Sequence, residues 1–221
     1  MQRAVVLLSG GLDSTTTLFY AKKNGCEAKC LIFDYGQRHK KEVGRAKRIA
    51  HYAGCDYRVV EIAFPWKGSA LLDRFIAVPQ NRNVDSREIP PTYVPARNII
   101  FLSFAASFAE TAGADRIFIG ANAIDYSGYP DCRPEFFRAF EKVLAKGLKN
   151  GVQGNPIKIE MPLVRKTKAQ IIKLAVQLNV PFHLTWSCYK GGRNPCQSCD
   201  SCILRQRGFD ALGLKDPLLR G

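Results

Sequence analysis

The stretch Ser9-Gly10-Gly11-Leu12-Asp13-Ser14-Thr15 decides the fold class of this chain. It follows the apolar run 4–8 and precedes the amphipathic segment 16–23, an order that predicts a strand, a tight turn and a helix. Two consecutive glycines allow the backbone to turn sharply and to approach a ligand closely. The helix would then present unpaired N–H groups and the positive end of its dipole to an anion.

The other residues of this loop suit phosphate. Ser9, Ser14 and Thr15 add hydroxyl donors, and the Asp13 carboxylate can hold Mg²⁺ among phosphate oxygens. The alternative is an ordinary glycine-rich turn in which Asp or Ser caps the helix. No Walker A pattern and no G-x-G-x-x-G after a strand occur in the chain. The loop instead resembles the pyrophosphate loop of the N-type ATP pyrophosphatases, which cleave ATP between the α and β phosphates and transfer AMP to a substrate oxygen.

The rest of the chain predicts an α/β fold. Apolar runs at 4–8, 28–33, 57–62, 116–120 and 157–162 alternate with helical patterns, as in an open parallel sheet with helices on both faces. Helices are predicted over 39–53, 99–112 and 168–178, the last opened by a capping box of Thr167 and Gln170. Residues 99–112 are apolar almost all round, so that helix is predicted to be buried. The superfamily resemblance implies the adenine nucleotide alpha-hydrolase-like type of sheet.

Length and composition favour one main domain with an appendage. The 221 residues accommodate an ATP pyrophosphatase domain over 1–185 and a C-terminal segment over 186–221. Residues 63–96 contain five prolines and no periodicity, so we interpret them as an active-site lid. The net charge of +14 suits ATP or RNA, or else marks a solvated basic surface. With no long apolar run and no leader pattern, we expect a cytoplasmic protein that does not enter a membrane.

Four of the eight cysteines form a metal-binding pattern. Cys188, Cys196, Cys199 and Cys202 have the spacing C-x₇-C-x₂-C-x₂-C, which suits a closed tetrahedral Zn²⁺ site that clips the tail to the main domain. An iron–sulfur cluster is the competitor, although the ferredoxin continuation x₃-C-P is missing after Cys202. Three scattered cysteines are predicted to be buried apolar residues: Cys26, Cys30 and Cys55.

Further motifs narrow the resemblance to one family. They are DYGQRH at 34–39, VPARN at 94–98, SGYPDCRPEF at 127–136 and the cysteine tail. With the loop at Ser9 they closely resemble the 7-cyano-7-deazaguanine synthase family of the queuosine pathway, over nearly the whole chain. One departure is Gln197, where the family usually has glycine, so this turn must avoid a left-handed conformation or tolerate strain.

The resemblance implies an ATP-dependent ligase. The carboxylate of 7-carboxy-7-deazaguanine would attack the α-phosphate of Mg-ATP, and ammonia would displace AMP to give an amide. A second ATP would activate the amide oxygen, and loss of AMP would leave the nitrile. A homodimer is also implied by the resemblance.

The resemblance also implies residue roles. Asp13 would orient Mg²⁺, Lys168 would clamp phosphate, and Arg97 would form a fork for a phosphate or a carboxylate. The alternatives are an exposed helix lysine at Lys168 and a solvated helix-start arginine at Arg97. ATP is expected on the loop residues Leu8, Ser9, Gly10, Gly11, Leu12, Ser14 and Thr15. The substrate is expected against Tyr35, Gln37, Asn98, Tyr129 and Asp131.

Two of these assignments stay open. Asp131 matches the N1–H and exocyclic amine of a guanine-like base, and the alternative is that it shapes the turn before Pro134, which looks like the first residue of a helix. Cys132 suggests a nucleophile, although the adenylation scheme needs no covalent enzyme intermediate, and we expect a packed or pocket-lining thiol.

Three rival functions remain at this stage. One is a tRNA-modifying ATP pyrophosphatase, which the basic charge fits but which lacks an evident RNA-binding domain, so stable nucleic-acid binding is not expected. Another is a paralogue that passes the activated acid to a protein amine. A non-catalytic zinc-bearing nucleic-acid binder would leave the Ser9 loop unexplained.

Overall fold

One parallel sheet organises the molecule. The computed structural model describes residues 2–85, 88–122 and 129–219. Its strands lie in the order β3-β2-β1-β4-β5, and every neighbouring pair is parallel. Their bounds are β1 Gln2–Leu7, β2 Cys26–Asp34, β3 Tyr57–Glu61, β4 Arg116–Phe118 and β5 Lys158–Glu160. The five apolar runs therefore all form strands, which confirms the predicted sheet.

Seven α-helices accompany these strands within the described residues. They are α1 Leu12–Lys23, α2 Lys41–Tyr52, α3 Arg97–Ala112, α4 Pro134–Gly147, α5 Lys149–Val152, α6 Lys168–Gln177 and α7 Asp200–Asp210. The predicted capping box is present at α6, where Thr167 accepts from the Gln170 N–H and the Gln170 side chain accepts from the Thr167 N–H. Helix α1 begins at Leu12, so the second half of the glycine-rich loop is its first turn.

Helices cover both faces of the sheet. Strand side chains alternate in direction, so Val5 and Leu7 of β1 join one core while Ala4 and Val6 join the other. Helices α3 and α4 pack on the first face, and α1 and α2 pack on the second. A strand buried on both faces is apolar throughout, which is why the strands of this chain could be recognised as runs.

The prediction that α3 is buried on all sides was wrong. Leu102, Ala105 and Ala109 are fully buried against the sheet, but Ile99 and Phe104 are 42% and 41% exposed. The outer face of the helix thus leaves these two apolar side chains uncovered, beside the exposed polar residues Ser103, Ser107 and Thr111. A sequence that is apolar on nearly all sides does not show which faces of the helix the rest of the chain will cover.

The sheet order places a crevice between β1 and β4. The order of the strands in the sheet reverses direction between β1 and β4. Open α/β sheets bind ligands at such a point, at the carboxyl ends of their strands. Gly120, just after β4, allows the close approach of this strand end to α1, because a Cβ at Gly120 would lie 2.8 Å from the Ser14 nitrogen. The loops after β1 and β4 therefore form two neighbouring walls.

Residues 63–96 contain turns but neither helix nor strand in their described part. The segment is held by Arg38, whose guanidinium donates to the carbonyls of Ala70, Arg74 and Ile76 at 3.1 to 3.2 Å. Ala70 and Val78 are buried in a small apolar cluster with Trp186, which also includes the cysteine segment. The segment is thus attached both to the turn after β2 and to the C-terminal part of the chain.

Candidate active site

A cavity lies at the carboxyl ends of the strands, between the glycine-rich loop and the N-termini of α3 and α6. Twelve of the sequence-predicted site residues line it: Leu8, Ser9, Gly11, Leu12, Asp13, Ser14, Tyr35, Gln37, Arg97, Asn98, Tyr129 and Lys168. Gly10, Thr15 and Asp131 are placed behind its wall. The structure thus brings together residues that are up to 160 positions apart in the chain.

The glycine-rich loop is braced by its own hydroxyl groups. The Ser9 N–H donates to Ser14 Oγ at 3.1 Å, and Ser14 Oγ donates to the Gly11 carbonyl at 3.2 Å. Thr15 is fully buried and donates to the same carbonyl at 2.7 Å, so its hydroxyl supports the loop from behind. Because these bonds are internal, the loop is held in shape without a ligand.

Gly10 faces α2 rather than the cavity. Its φ is +81°, and a Cβ there would lie 2.5 Å from the Glu42 carbonyl oxygen and 2.7 Å from the Ala46 nitrogen. Its carbonyl accepts from the Trp186 N–H at 2.9 Å. The first glycine of the pair is therefore required for contact with α2 and with the C-terminal segment.

Asp13 and Lys168 form an ion pair in the cavity wall. Lys168 Nζ donates to both carboxylate oxygens of Asp13, at 2.7 and 2.9 Å. Lys168 is only 8% exposed, which excludes the alternative of an ordinary surface lysine. Gly208 of α7 packs on it, since a Cβ at that glycine would lie 2.6 Å from Lys168 Cγ. A carboxylate and an ammonium group thus meet beside the loop.

Arg97 is half-buried in the opposite wall and carries a stable positive charge. Burial alone would lower the pKa of Arg97, but Tyr35, Tyr129 and Cys132 nearby raise it, and the net shift is upward. Burial raises the pKa of Tyr35, while the nearby Arg97 opposes that shift. The guanidinium therefore lies beside a neutral phenol at the cavity.

Gln37 shapes the turn that carries Tyr35. Its side-chain oxygen accepts from the Tyr35 N–H at 2.7 Å, and its amide nitrogen donates to the Phe33 carbonyl at 3.3 Å. Gln37 lines the cavity, but its side-chain oxygen and nitrogen are both bonded to the backbone of its own turn.

Asp131 caps α3 in this structure. Its carboxylate accepts from the Asn98 N–H at 3.0 Å, while the Asn98 side chain donates to the Asp131 carbonyl at 3.0 Å and to Cys132 Sγ at 3.4 Å. The carboxylate does not line the cavity. This geometry favours the local structural role for Asp131 over direct contact with a base. Ser127 and Gly128 of the same motif lie outside the described residues.

Cys132 lines the cavity as a neutral thiol. Burial, followed by the Asp131 charge, raises the pKa of Cys132 to about 12, although Arg97 acts in the opposite direction. A protonated thiol is a poor nucleophile, which agrees with the expectation of a pocket-lining role.

Several cavity residues were not identified from the sequence. Glu42 on α2 is the most informative of them, because burial raises the pKa of its carboxyl group to about 7 while Arg97 acts to lower it. Arg205 of α7 also lines the cavity and forms a buried pair with Asp216, at 2.6 and 2.9 Å. Both belong to helices with other polar residues, so periodicity could not separate them from surface positions.

The four tail cysteines converge as the spacing predicts. Their Sγ atoms all lie within 4.8 Å of one another, and Cys188, Cys199 and Cys202 are buried. Hydrogen bonds donated by Cys199 and Cys202 lower the pKa of the Cys188 thiol, so the cluster stabilises at least one thiolate. A group of four convergent sulfurs fits a tetrahedral metal ion.

The turn within this cluster is strained at one residue. Gln197 has a φ of +58°, so it adopts the left-handed conformation that its Cβ disfavours. The turn therefore does not avoid the left-handed conformation, and it tolerates the strain of a Cβ at this position. The main-chain N–H groups of Cys196 and Cys199 donate to the sulfurs of Cys188 and Cys196, both at 3.3 Å.

Across the parts of the chain that the structure describes, no helix has the length and apolar character needed to cross a membrane.

Comparisons with known proteins agree on one family. The family model described as "Queuosine biosynthesis protein QueC" matches residues 3–213. A curated relative from Anaeromyxobacter sp. (strain Fw109-5), named 7-cyano-7-deazaguanine synthase, is 53% identical over 99% of this chain and 96% of its own. A relative of the same name from Thermoplasma acidophilum is 52% identical over 98% of this chain and 91% of its own.

Solved structures resemble the fold at low identity. The U34-tRNA thiolase NcsA from Methanococcus maripaludis, described with its [4Fe-4S] cluster, has a TM-score of 0.50 and 16% identity. That similarity covers 96% of this chain and 66% of the thiolase. NMN synthetase from Francisella tularensis has a TM-score of 0.50 and 15% identity over 97% of this chain and 73% of its own. These similarities support the adenine nucleotide alpha-hydrolase type of sheet.

Proposed function

The chain belongs to the QueC family of queuosine biosynthesis proteins, and from that membership we propose the reaction that its cavity performs. It is an ATP-dependent ligase that makes 7-cyano-7-deazaguanine from 7-carboxy-7-deazaguanine and ammonia. Conversion of an acid to a nitrile removes two oxygens, so two activations by ATP are required. The observation that carries this proposal is the cavity that gathers the glycine-rich loop, the Asp13–Lys168 pair and Arg97.

In the first step the loop holds the leaving pyrophosphate. Ser9, Gly11, Leu12 and Ser14 line the cavity where the β and γ phosphates would bind, and the N–H groups of the α1 N-terminus would donate to them. The Ser14 hydroxyl already donates to the Gly11 carbonyl and so holds the loop in shape. Lys168 would neutralise phosphate charge from the α6 side. Preorganised donors are effective here because they need no rearrangement as charge develops on the leaving group.

The residues present fit a magnesium ion at the same place. The Asp13 carboxylate is a hard oxygen ligand next to the phosphate loop and would hold Mg²⁺ together with phosphate oxygens. Bound there, the ion supplies charge neutralisation for the departing pyrophosphate. Lys168 orients the Asp13 carboxylate through two hydrogen bonds.

Arg97 would orient the carboxylate of the substrate. Its guanidinium can form paired hydrogen bonds with a carboxylate or an α-phosphate, and both Arg97 and Tyr35 line the cavity. Tyr129 and Asn98 form the adjoining wall, where the deazaguanine ring would rest. Asp131 would contribute to recognition indirectly, because its carboxylate fixes the Asn98 backbone.

The cysteine cluster would hold one structural zinc ion per chain. Four sulfur ligands leave no open coordination position for chemistry, so the ion would fasten residues 186–221 to the main domain over 1–185. The fold relative NcsA carries a [4Fe-4S] cluster, which makes iron the alternative to test. Metal analysis of protein purified without oxygen separates the two.

Three further properties belong to the proposal. Residues 63–96 would act as a lid, since they connect the turn after β2 to the cysteine segment. A homodimer is supported by the exposed apolar side chains Phe104 on α3 and Val143 on α4. A reducing, cytoplasmic location would keep the four converging tail cysteines available as metal ligands.

The direct test is mass spectrometry of the protein incubated with 7-carboxy-7-deazaguanine, Mg-ATP and an ammonium salt. We expect the cyano product together with AMP and pyrophosphate, and accumulation of the amide when ATP is limiting. Asp13→Asn should abolish pyrophosphate release. ATP cleavage without amide or nitrile would instead indicate another acceptor, such as a protein amine or tRNA.

A further inference from the structure

The cavity contains one carboxylate whose role the proposed mechanism leaves open. Its charged lining is mainly cationic, as expected for a site that binds ATP: Arg38, Arg97, Lys168 and Arg205. Within the described residues, the carboxylates that line it are Asp13 and Glu42. Asp13 is engaged by Lys168 and has its role beside the phosphates. A second negative charge in the cavity opposes phosphate binding. The position of Glu42 therefore indicates a ligand that carries positive charge.

Glu42 lies at the reacting end of the cavity. Its backbone carbonyl contacts Gly10 of the glycine-rich loop so closely that a Cβ at Gly10 would lie 2.5 Å away. Its side chain faces the cavity from the first turn of α2, within electrostatic range of Arg97. Arg97 lines the wall where the acyl-adenylate would form, and Gly10 joins the Glu42 backbone to the glycine-rich loop from behind that wall. The guanine-like edge of the substrate would lie at its other end, away from the phosphates.

The second substrate of the proposed reaction is a cation before it reacts. Ammonia in neutral water is almost entirely ammonium, which has no lone pair for attack. The site must therefore bind NH₄⁺ and remove one proton from it. A carboxylate attracts the ion and can accept that proton.

We propose that Glu42 binds ammonium at the cavity and acts as the base that converts it to the attacking ammonia. This inference rests on the proposed function. A proton passes from NH₄⁺ to the Glu42 carboxylate, and the nitrogen lone pair forms a bond to the acyl carbon. The C–O bond to AMP breaks, and AMP leaves with that electron pair. The nitrogen then loses a second proton to water, which leaves the neutral amide.

The surroundings of Glu42 support proton acceptance near neutral pH. Burial raises the pKa of its carboxyl group to about 7, Arg97 from α3 lowers it, and Cys188 from the C-terminal segment raises it. Tyr35, after β2, also lies within electrostatic range of this carboxyl group. A base with a pKa near the working pH exchanges protons efficiently in both directions.

The test separates adenylation from amide formation in Glu42→Gln. Exchange of labelled pyrophosphate into ATP, with the acid and without ammonia, reports adenylation alone. Amide formation is then measured with ammonium, and hydroxamate formation with hydroxylamine, which is largely a free base at pH 7. The matched control is Glu61→Gln, which alters an exposed carboxylate at the end of β3, outside the cavity.

We expect Glu42→Gln to keep pyrophosphate exchange within about threefold of the parent and to lose about a hundredfold in amide formation at pH 7. The loss should shrink as the pH rises and free ammonia accumulates.

Hydroxamate formation should fall little in Glu42→Gln, and Glu42→Asp should restore part of the ammonium reaction. Three results would overturn the proposal. The first is an equal loss with ammonium and hydroxylamine, and the second is no loss with either. The third is a loss of exchange with a raised KM for the acid, which would mean that Glu42 contacts the deazaguanine base. Absence of exchange in the parent protein would instead contradict the proposed function.

Discussion

At Gly10 the requirement for glycine is steric as well as conformational. Gly10 and Gly25 have nearly the same φ, +81° and +78°, but a Cβ at Gly25 would meet nothing within 4 Å. We expect Gly25→Ala to lower the free energy of unfolding by about 1 kcal/mol, the cost of a left-handed alanine. Gly10→Ala should lower it by roughly 3 kcal/mol or more, because α2 must also move. Urea unfolding of both variants provides the measurement, and equal losses would contradict the close contact with Glu42.

The Asp13–Lys168 pair predicts strong coupling between two residues. Their side chains are 17% and 9% exposed, so Lys168→Met should leave a poorly solvated carboxylate and destabilise the protein by about 2 to 3 kcal/mol. The double variant Asp13→Asn/Lys168→Met should be less destabilised than the sum of the single variants. A double-mutant cycle in urea measures this coupling. Pyrophosphate exchange should be lost in all three variants, and additive stabilities would show that the pair contributes no net interaction.

Glu42 predicts a pH dependence of stability. Its pKa is raised in the folded protein to about 7 from the usual value of 4.5, so the folded state binds the proton more tightly than the unfolded state does. The resulting stabilisation is present below about pH 4.5 and is lost as the pH rises through 7. Glu42→Gln should therefore gain stability relative to the parent between pH 5 and pH 8, by roughly 1 to 3 kcal/mol. Urea titrations across that range measure the gain, and a pH-independent difference would contradict the shift.

Two ion pairs join residues 63–96 to α7, and one of them is much more buried than the other. Arg82 donates to the buried Asp200 carboxylate through two nitrogens, both at 2.9 Å, whereas Arg207 and Asp85 form an exposed pair. Arg82→Ala should accelerate hydrogen exchange over 76–85 and lower the free energy of unfolding by about 2 kcal/mol, since Asp200 loses its partner. The matched control Arg207→Ala should change stability by less than about 1 kcal/mol. Similar exchange in both variants would show that the buried pair does not hold the segment.

The elements also show what sequence patterns can determine. The strands were predictable because burial on both faces makes them apolar throughout, and α6 because its capping box has a local sequence signal. Helix α4 was not predicted, although its buried positions Phe137 and Leu144 have a helical spacing and Pro134 occupies its first position. The exposed face of α3 depends on what packs against it, which local sequence does not encode.

The same division holds for the candidate site. The sequence placed motif residues such as Asp13 and Arg97 at the cavity because their neighbours in sequence form recognisable motifs. Glu42 and Arg205 enter the cavity through the packing of α2 and α7, so only the tertiary structure reveals them. Asp131 has the right chemistry for a base, but in three dimensions its carboxylate is engaged by the Asn98 N–H.

For the whole molecule, the cysteine cluster predicts that metal and fold are linked. Trp186, Ala70 and Val78 pack with the cysteines, so loss of the ion should loosen both the tail and residues 63–96. Cys188→Ser should remove the bound metal and lower the melting temperature. Cys26→Ser, at a buried cysteine outside the cluster, should retain one metal ion per chain. Elemental analysis and thermal unfolding measure both effects, and full metal content in Cys188→Ser would contradict the four-sulfur site.

The order of the strands has a consequence for how the protein is made. The half-sheet β3-β2-β1 comes from residues 2–61, so it can pair while the ribosome is still adding the remainder. The Lys168 partner of Asp13 lies 155 residues further along the chain, and Arg205 emerges later still. A nascent chain therefore carries the glycine-rich loop long before the opposite wall of the cavity exists. If nucleotide binding needs both walls, it would begin only once the chain has been made past Arg205, and ATP would stabilise only molecules that have reached that stage.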